Sequence, residues 1–119
     1  MATYSRQLLS GSVNGQPIVV AATASPGTTV HTAVAGAQGN FDEVYIWAAN
    51  VTGSAATLTI QWGGTTDPDS DACKAYSIPA NSGLVQITAG QVLQNSLVIR
   101  AYSGTASAIN LIGYVNRIQ

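Results

Sequence analysis

The sequence predicts an all-β fold, an antiparallel sandwich or jelly roll of about eight strands. Three observations carry that expectation. Apolar residues alternate along the chain instead of recurring every three or four positions, which is the period of half-buried strands and not of amphipathic helices. Val, Ile, Thr, Tyr and Trp are abundant, and these side chains fit a pleated surface. Turn signals built on Gly, Asn, Ser and Pro return every 8–12 residues or so, the spacing of sandwiches and barrels. A parallel α/β sheet would need crossover helices, and no segment has a helical period long enough to supply them.

Taken in order, the first element is a short strand near Tyr4–Leu9. It lies in an N-terminal stretch, residues 1–12, that is open to a second reading as an arm outside the sandwich. Ile18–Ala22 follows the Asn14-Gly15 turn, and Thr28–Ala35 follows Ser25-Pro-Gly27. The clearest strand is Asp42–Asn50, with Val44 and Ile46 on one face and Tyr45 and Trp47 on the other. Its two apolar faces imply that both are covered. The cluster Asn50-Val-Thr-Gly-Ser54 then turns the chain into Ala56–Trp62, where Leu58, Ile60 and Trp62 share a face against Thr57, Thr59 and Gln61. These two segments are expected to pair as an antiparallel hairpin. Next come Lys74–Ile78, closed by Pro79; Gly83–Thr88, closed by Ala89-Gly90; Ser96–Tyr102, closed by Ser103-Gly104; and Ala108–Ile118. The one helical expectation is a turn over Pro68–Lys74. There Asp67 stands as N-cap, Pro68 at the first helical position, and Asp69 and Asp71 where the helix dipole favours negative charge. The whole chain, residues 1–119, is the size of one domain.

Four basic and five acidic side chains in 119 residues make charge only 8% of the composition, with a formal net charge of −1. A free-standing domain usually carries roughly a quarter to a third charged residues on its surface. A surface of hydroxyls, amides and apolar atoms can be pressed against other protein with little charge to desolvate. That composition points to a component of an assembly. Nucleic acid is not an expected partner, because counterion release needs clustered cations and Arg6, Lys74, Arg100 and Arg117 are scattered. No membrane partner is expected either, since the longest apolar run, Ile18–Ala22, is far below the roughly 20 residues of a spanning helix. Ala22-Thr-Ala24 has the form of a signal cleavage site, but the run before it is short and broken by Asn14, Gly15 and Pro17, so no cleaved signal is expected. Cys73 is the only cysteine, which excludes an internal disulfide and leaves a reduced thiol as the expectation.

Candidate chemistry is sparse, and neither an enzyme, a cofactor nor a small-molecule substrate is expected. Asp67, Asp69 and Asp71 alternate like the start of a calcium loop. Ala72 and Ile78 stand where that loop needs Gly and Glu, so a helix cap explains the trio and no metal is expected. His31, the only histidine, sits on a strand with Val30, Thr32 and Val34 opposite. With no Gly-x-Ser-x-Gly elbow, it reads as a hydrogen-bonded strand residue. Asp42 and Glu43 are neighbours on one strand and face opposite ways, so they cannot flank a glycosidic bond together. Tyr45, Trp47, Trp62, Tyr76, Tyr102 and Tyr114 read first as core or subunit-interface anchors and second as a sugar-binding face.

From Phe41 to Ile118 the order of features resembles small virion structural proteins of tailed bacteriophages, the jelly-roll head-decoration or cement type in particular. The features are Val44-Tyr-Ile-Trp-Ala-Ala-Asn-Val-Thr-Gly-Ser54, then Thr57-Leu-Thr-Ile-Gln-Trp62, an acidic loop, and Tyr76-Ser-Ile-Pro-Ala-Asn-Ser-Gly83. Gly90-Gln-Val-Leu-Gln-Asn-Ser-Leu-Val-Ile-Arg100 and a closing strand with Ile112-Gly-Tyr114 complete it. Related layouts occur in phage neck, tail and fibre components. The resemblance implies a virion protein, made in the host cytoplasm, that binds the major capsid protein on the outer shell, often as a homotrimer, and stabilises it. It brings no catalytic residues. In the arm reading, Tyr4, Leu8 and Leu9 bury against shell subunits while Arg6 and Gln7 hydrogen-bond to them.

Overall fold

The computed structural model describes residues 3–65 and 72–119, and within them every regular element is a strand. In chain order these are β1 (Tyr4–Leu8), β2 (Ile18–Val19), β3 (Thr28–Thr32), β4 (Phe41–Asn50), β5 (Ala56–Trp62), β6 (Ala72–Ile78), β7 (Val85–Leu93), β8 (Val98–Ser103) and β9 (Ile109–Ile118). Each of the nine overlaps a segment that the sequence marks as a strand. Asp67, Pro68, Asp69 and Asp71 lie outside the described residues. Lys74, expected to close a helical turn, is instead inside β6, between Cys73 and Tyr76, which pair with Ile60 and Leu58 of β5.

The strands form two antiparallel sheets. One has the order β1-β9-β4-β7, with β2 also paired to β9; the other has the order β3-β8-β5-β6. The pairs β2·β9, β3·β8, β4·β7 and β5·β6 nest inside one another. A single antiparallel ribbon therefore winds round a common core, and this is the jelly-roll arrangement. Val44, Ile46 and Ala48 of β4 and Leu111 and Val115 of β9 meet Leu58, Ile60, Ile99 and Ala101 of the other sheet in one buried cluster.

Two local expectations fail for identifiable reasons. The segments β4 and β5 are not a hairpin: they belong to different sheets. Asn50 is fully buried, and its Nδ2 donates to the carbonyls of Ser54 (2.8 Å) and Ile78 (3.0 Å). Its Oδ1 accepts from the Thr52 amide (2.9 Å) and hydroxyl (2.8 Å). The turn is thus clamped as an arch that carries the chain across the core. Likewise, Ala89-Gly90 does not end β7. The register slips there, so that Val44 pairs Gln91 while Tyr45 pairs Ala89, leaving Gly90 as the extra residue of a bulge at φ +92°. A Cβ on Gly90 would lie 3.1 Å from the Tyr45 hydroxyl, so the aromatic side chain occupies the space that glycine leaves open.

Among the described residues the N-terminal stretch is not an arm. Tyr4–Leu8 pairs with β9 residue for residue, from Tyr4 against Ile118 to Leu8 against Tyr114. Leu9 is part of the core, 1% exposed.

Candidate functional site

Two constellations stand out, one inside the sandwich and one on its surface. The inner one is a charged cluster that bridges the sheets. Asp42, at the start of β4, shares inward parity with Val44 and Ile46, and it is completely buried. Arg117 of β9 is its register partner. Arg117 donates through Nε to Oδ1 (2.9 Å) and through an Nη to Oδ2 (3.0 Å), the bidentate geometry in which guanidinium and carboxylate match best. Oδ2 also accepts from the Val34 amide (3.1 Å) and from His31 Nε2 (2.7 Å).

His31 reaches this position through a bulge. Thr29 pairs Arg100 and His31 pairs Ile99, which leaves Val30 as the extra residue. Strict alternation places His31 opposite Val30 and Val34, yet all three are buried. The other ring nitrogen, Nδ1, accepts the Ser10 amide (3.0 Å), while the Ser10 hydroxyl accepts the Thr32 amide (2.7 Å). His31 is therefore a neutral Nε2–H tautomer with both nitrogens occupied.

Burial pushes the His31 pKa below its ordinary value, against the pull of the Asp42 hydrogen bond and charge, and the Arg117 charge adds to the lowering. Burial alone would raise Asp42. The Arg117 hydrogen bonds, and then that from His31, outweigh it and hold the carboxylate below its usual range. The same hydrogen bonds raise Arg117. Because Arg117 already neutralises Asp42, the histidine need not be charged. Chemically the cluster has no free lone pair on His31 with which to take a proton from a hydroxyl, so it is not a Ser-His-Asp relay. What it does is tie β3, β4, β9 and the β1–β2 connection together.

The second constellation is the outer face of the β1-β9-β4-β7 sheet. Tyr45 and Tyr114 stack at 5.0 Å between ring centroids, Trp47 leans on Tyr114 at 6.1 Å, and the Arg6 guanidinium lies 4.6 Å over the Tyr114 ring. A shallow trough beside them is lined by Leu8, Trp47, Leu84, Ile112 and Tyr114. Tyr4, Leu8, Leu84 and Val92 are more than half exposed. Sequence parity places Tyr45 and Trp47 on a covered face, but no described part of the chain covers them. The opposite sheet differs, because Gln61, on its outward side, is buried under the Ser25–Thr28 loop. Its Oε1 accepts the Gly27 amide and its Nε2 donates to the Ser25 hydroxyl, both at 2.8 Å.

Of the residues singled out in the sequence, Tyr4, Arg6 and Leu8 share the open face with Tyr45, Trp47 and Tyr114. Gln7 is exposed on the other side of β1, with its Nε2 on the Ser5 hydroxyl (3.0 Å), and Leu9 is internal. The six aromatics do not form one platform. Trp62 and Tyr76 line a cleft with the exposed Cys73 at the β6 and β7 edges, and Tyr102 lies outward on β8. Among the described residues no cluster of His, Cys, Asp or Glu could hold a metal ion, and no helix is long and apolar enough to cross a membrane.

Sequence reasoning missed the Asp42–Arg117 pair. The signal was present, since both charges occupy inward parity on strongly alternating strands. No protein-family model, curated protein or solved structure matches the chain.

Proposed function

We propose that this chain is a structural virion protein of a tailed bacteriophage that binds the outer surface of the assembled capsid and stabilises it. The nested jelly-roll order, the scarcity of charge and the feature order from Phe41 to Ile118 support the reading. The single observation that carries it is the open edge of β1.

Thr3 and Gln119 exchange both backbone hydrogen bonds (2.6 and 3.1 Å). Antiparallel alternation then turns Ser5 and Gln7 towards β9, and turns the N–H and C=O groups of Tyr4, Arg6 and Leu8 away from it. An extended segment of the major capsid protein can add to that edge as a further strand. The arm mechanism is replaced by this one, in which β1 receives a strand while remaining in its own sheet. Each such contact is weak, and several made at once on a shell hold through avidity. On this reading the protein sits on the capsid surface after synthesis in the host cytoplasm.

A glycan platform is the weaker alternative, because Leu8, Leu84 and Ile112 flank the aromatics where sugar recognition needs hydrogen-bonding groups. Binding of the purified protein to shells stripped of it tests the proposal. Leu8→Pro removes one outward N–H while sparing the β9-facing bonds, and it is expected to lose shell occupancy. Leu8→Ala, which keeps that N–H, is expected to retain most of it. Equal occupancy for the two variants would remove the edge from the mechanism, and binding to purified tails or fibres instead of shells would move the site on the virion.

A further inference from the structure

We infer that the β1–β2 connection is a proton-operated latch: it lies over the edge of β3, and a proton taken up by His31 lifts it off. Three hydrogen bonds seat the connection on that edge. The Ser10 amide donates to His31 Nδ1 (3.0 Å), the Gly11 amide to the Val30 carbonyl (2.9 Å), and the Thr32 amide to the Ser10 hydroxyl (2.7 Å). β3 is the outermost strand of its sheet, so these groups lie on the side that β8 does not use. The fit is close. A Cβ on Gly11 would lie 2.6 Å from the Thr29 carbonyl oxygen and 2.7 Å from that of Val30.

His31 has one place for a second proton, and the latch occupies it. Nε2 already bears a hydrogen, which it donates to Asp42 Oδ2 (2.7 Å). The only basic lone pair is on Nδ1, and the Ser10 N–H points at it. A proton added there sets two donors against each other with no acceptor between them. The imidazolium then needs a partner on Nδ1, which water supplies once Ser10 is displaced. A closed latch and a protonated ring are therefore mutually exclusive. Displacing the connection uncovers little, because Ser10 and Gly11 are already exposed. Leu9, buried in the core, marks where the moving part ends.

Two charged groups act on the ring, Asp42 from β4 and Arg117 from β9. Neither β3 nor the segment from Ser10 to Gln16 carries a further titratable side chain. Arg100 of β8 alternates outward with Val98 and Tyr102, and Arg6 of β1 lies over Tyr114 on the outer face. With the latch open the ring is solvated and titrates near its ordinary 6.5. With it closed, burial, helped by the Arg117 charge, holds the ring lower against the pull of Asp42. The latch is thus shut above 6.5. Below that the open form binds the proton more readily, and its population grows by up to about tenfold per pH unit until the closed form titrates as well. Opening frees the Val30 carbonyl and the Thr32 amide, which turns a covered sheet edge into one able to pair with another strand.

The test is amide hydrogen exchange of the whole chain, followed by NMR from about pH 7.5 to about pH 4.5 and corrected for intrinsic rates. The Ser10, Gly11 and Thr32 amides are expected to exchange faster than those of Ile46 and Leu111 in the core strands. Their protection is expected to fall by up to about tenfold per unit below 6.5. It is also expected to ignore low concentrations of urea, because a local opening exposes little surface. His31→Gln keeps an acceptor for the Ser10 amide and a donor for Asp42 but takes up no proton. In that variant the three amides are expected to be equally protected at both ends of the range.

Exchange that follows Ile46 and Leu111 in both pH and urea overturns the inference, since the connection then opens only with the whole fold. A His31 ring that titrates while the three amides keep their protection overturns it too. So does an H31Q chain whose amides retain the slope of the parent. The first two outcomes are read on the parent chain and decide the matter without the variant.

Discussion

Replacing Arg117 by Met removes the guanidinium but keeps an apolar stem of similar reach, and it isolates what the buried cluster contributes. Asp42 accepts four hydrogen bonds, two of them from Arg117. Removing one partner of a buried pair typically costs about 3–5 kcal/mol, because the remaining charge stays desolvated. The Arg117 side chain keeps 23% of its exposure, so solvent screening lowers the expected cost to about 2–4 kcal/mol. At roughly 3–6 °C per kcal/mol for a domain this size, the melting temperature should fall by about 6–24 °C.

The variant should also change how stability depends on pH. In the parent, the pKa values of both His31 and Asp42 are lowered on folding, from 6.5 and 3.8 respectively. The unfolded chain therefore takes up these protons first as the solution is acidified. Stability from His31 is complete above 6.5 and is lost as pH falls through its lower folded value; a further loss begins below 3.8 as Asp42 titrates. Without Arg117 the histidine loses the nearby like charge that helps keep it neutral, and it becomes the remaining counter-ion of Asp42. Its pKa should rise relative to the parent, flattening the acid side of the stability profile. Urea unfolding at a series of pH values, with NMR titration of the His31 ring proton, measures both effects. A variant within about 0.5 kcal/mol of the parent, or an unmoved His31 titration, would refute the assignment of Arg117 as the charge that balances Asp42.

Asn50→Ala should destabilise by about 1–3 kcal/mol in denaturant unfolding, since it takes the Asn50 donor from the buried Ile78 carbonyl, while the exposed Ser54 carbonyl keeps the Thr52 hydroxyl. Leu9→Ala and Leu8→Ala separate core from surface on adjacent residues: the first should cost about 2–5 kcal/mol, and the second, more than half exposed, about 0.5 kcal/mol or less. The same contrast favours single substitutions in β1 for a binding test, because removing the whole strand with Leu9 would take away an edge strand and a core side chain together.

Strand positions are legible in the sequence because each depends on a local pattern. Ala56–Trp62 is legible to the residue, since alternation and flanking turns coincide there. Partnership is less so. A five-residue polar cluster such as Asn50–Ser54 serves a hairpin or an arch equally well, and the choice is made by the Ile78 carbonyl, 28 residues away, which Asn50 Nδ2 reaches. A bulge defeats the parity argument at His31, because one extra residue reverses which face every following side chain takes, and another lets β7 run on through Gly90, where the sequence signals a turn. The buried ion pair escapes for a different reason. Weighing Asp42 against its neighbour Glu43 overlooks its parity with Val44 and Ile46, which already points it inward, towards whatever cation β9 could offer.

The two constellations divide the few charges of this chain between opposite tasks. Inside, Asp42, Arg117 and His31 satisfy one another, so a wrong register of β4 on β9 would strand a charge in the core; the pair makes that register costly to change. Outside, the same two strands present almost no charge, and the flat aromatic face they carry is held in shape by the register fixed beneath it. Arg6 and Glu43 stay level only while Asn116 stays between them. A slip of one residue at the buried pair would shift the β4 row against the β9 row by one strand step and separate the outer charges. The buried cluster is therefore the device that holds the outer face in its register.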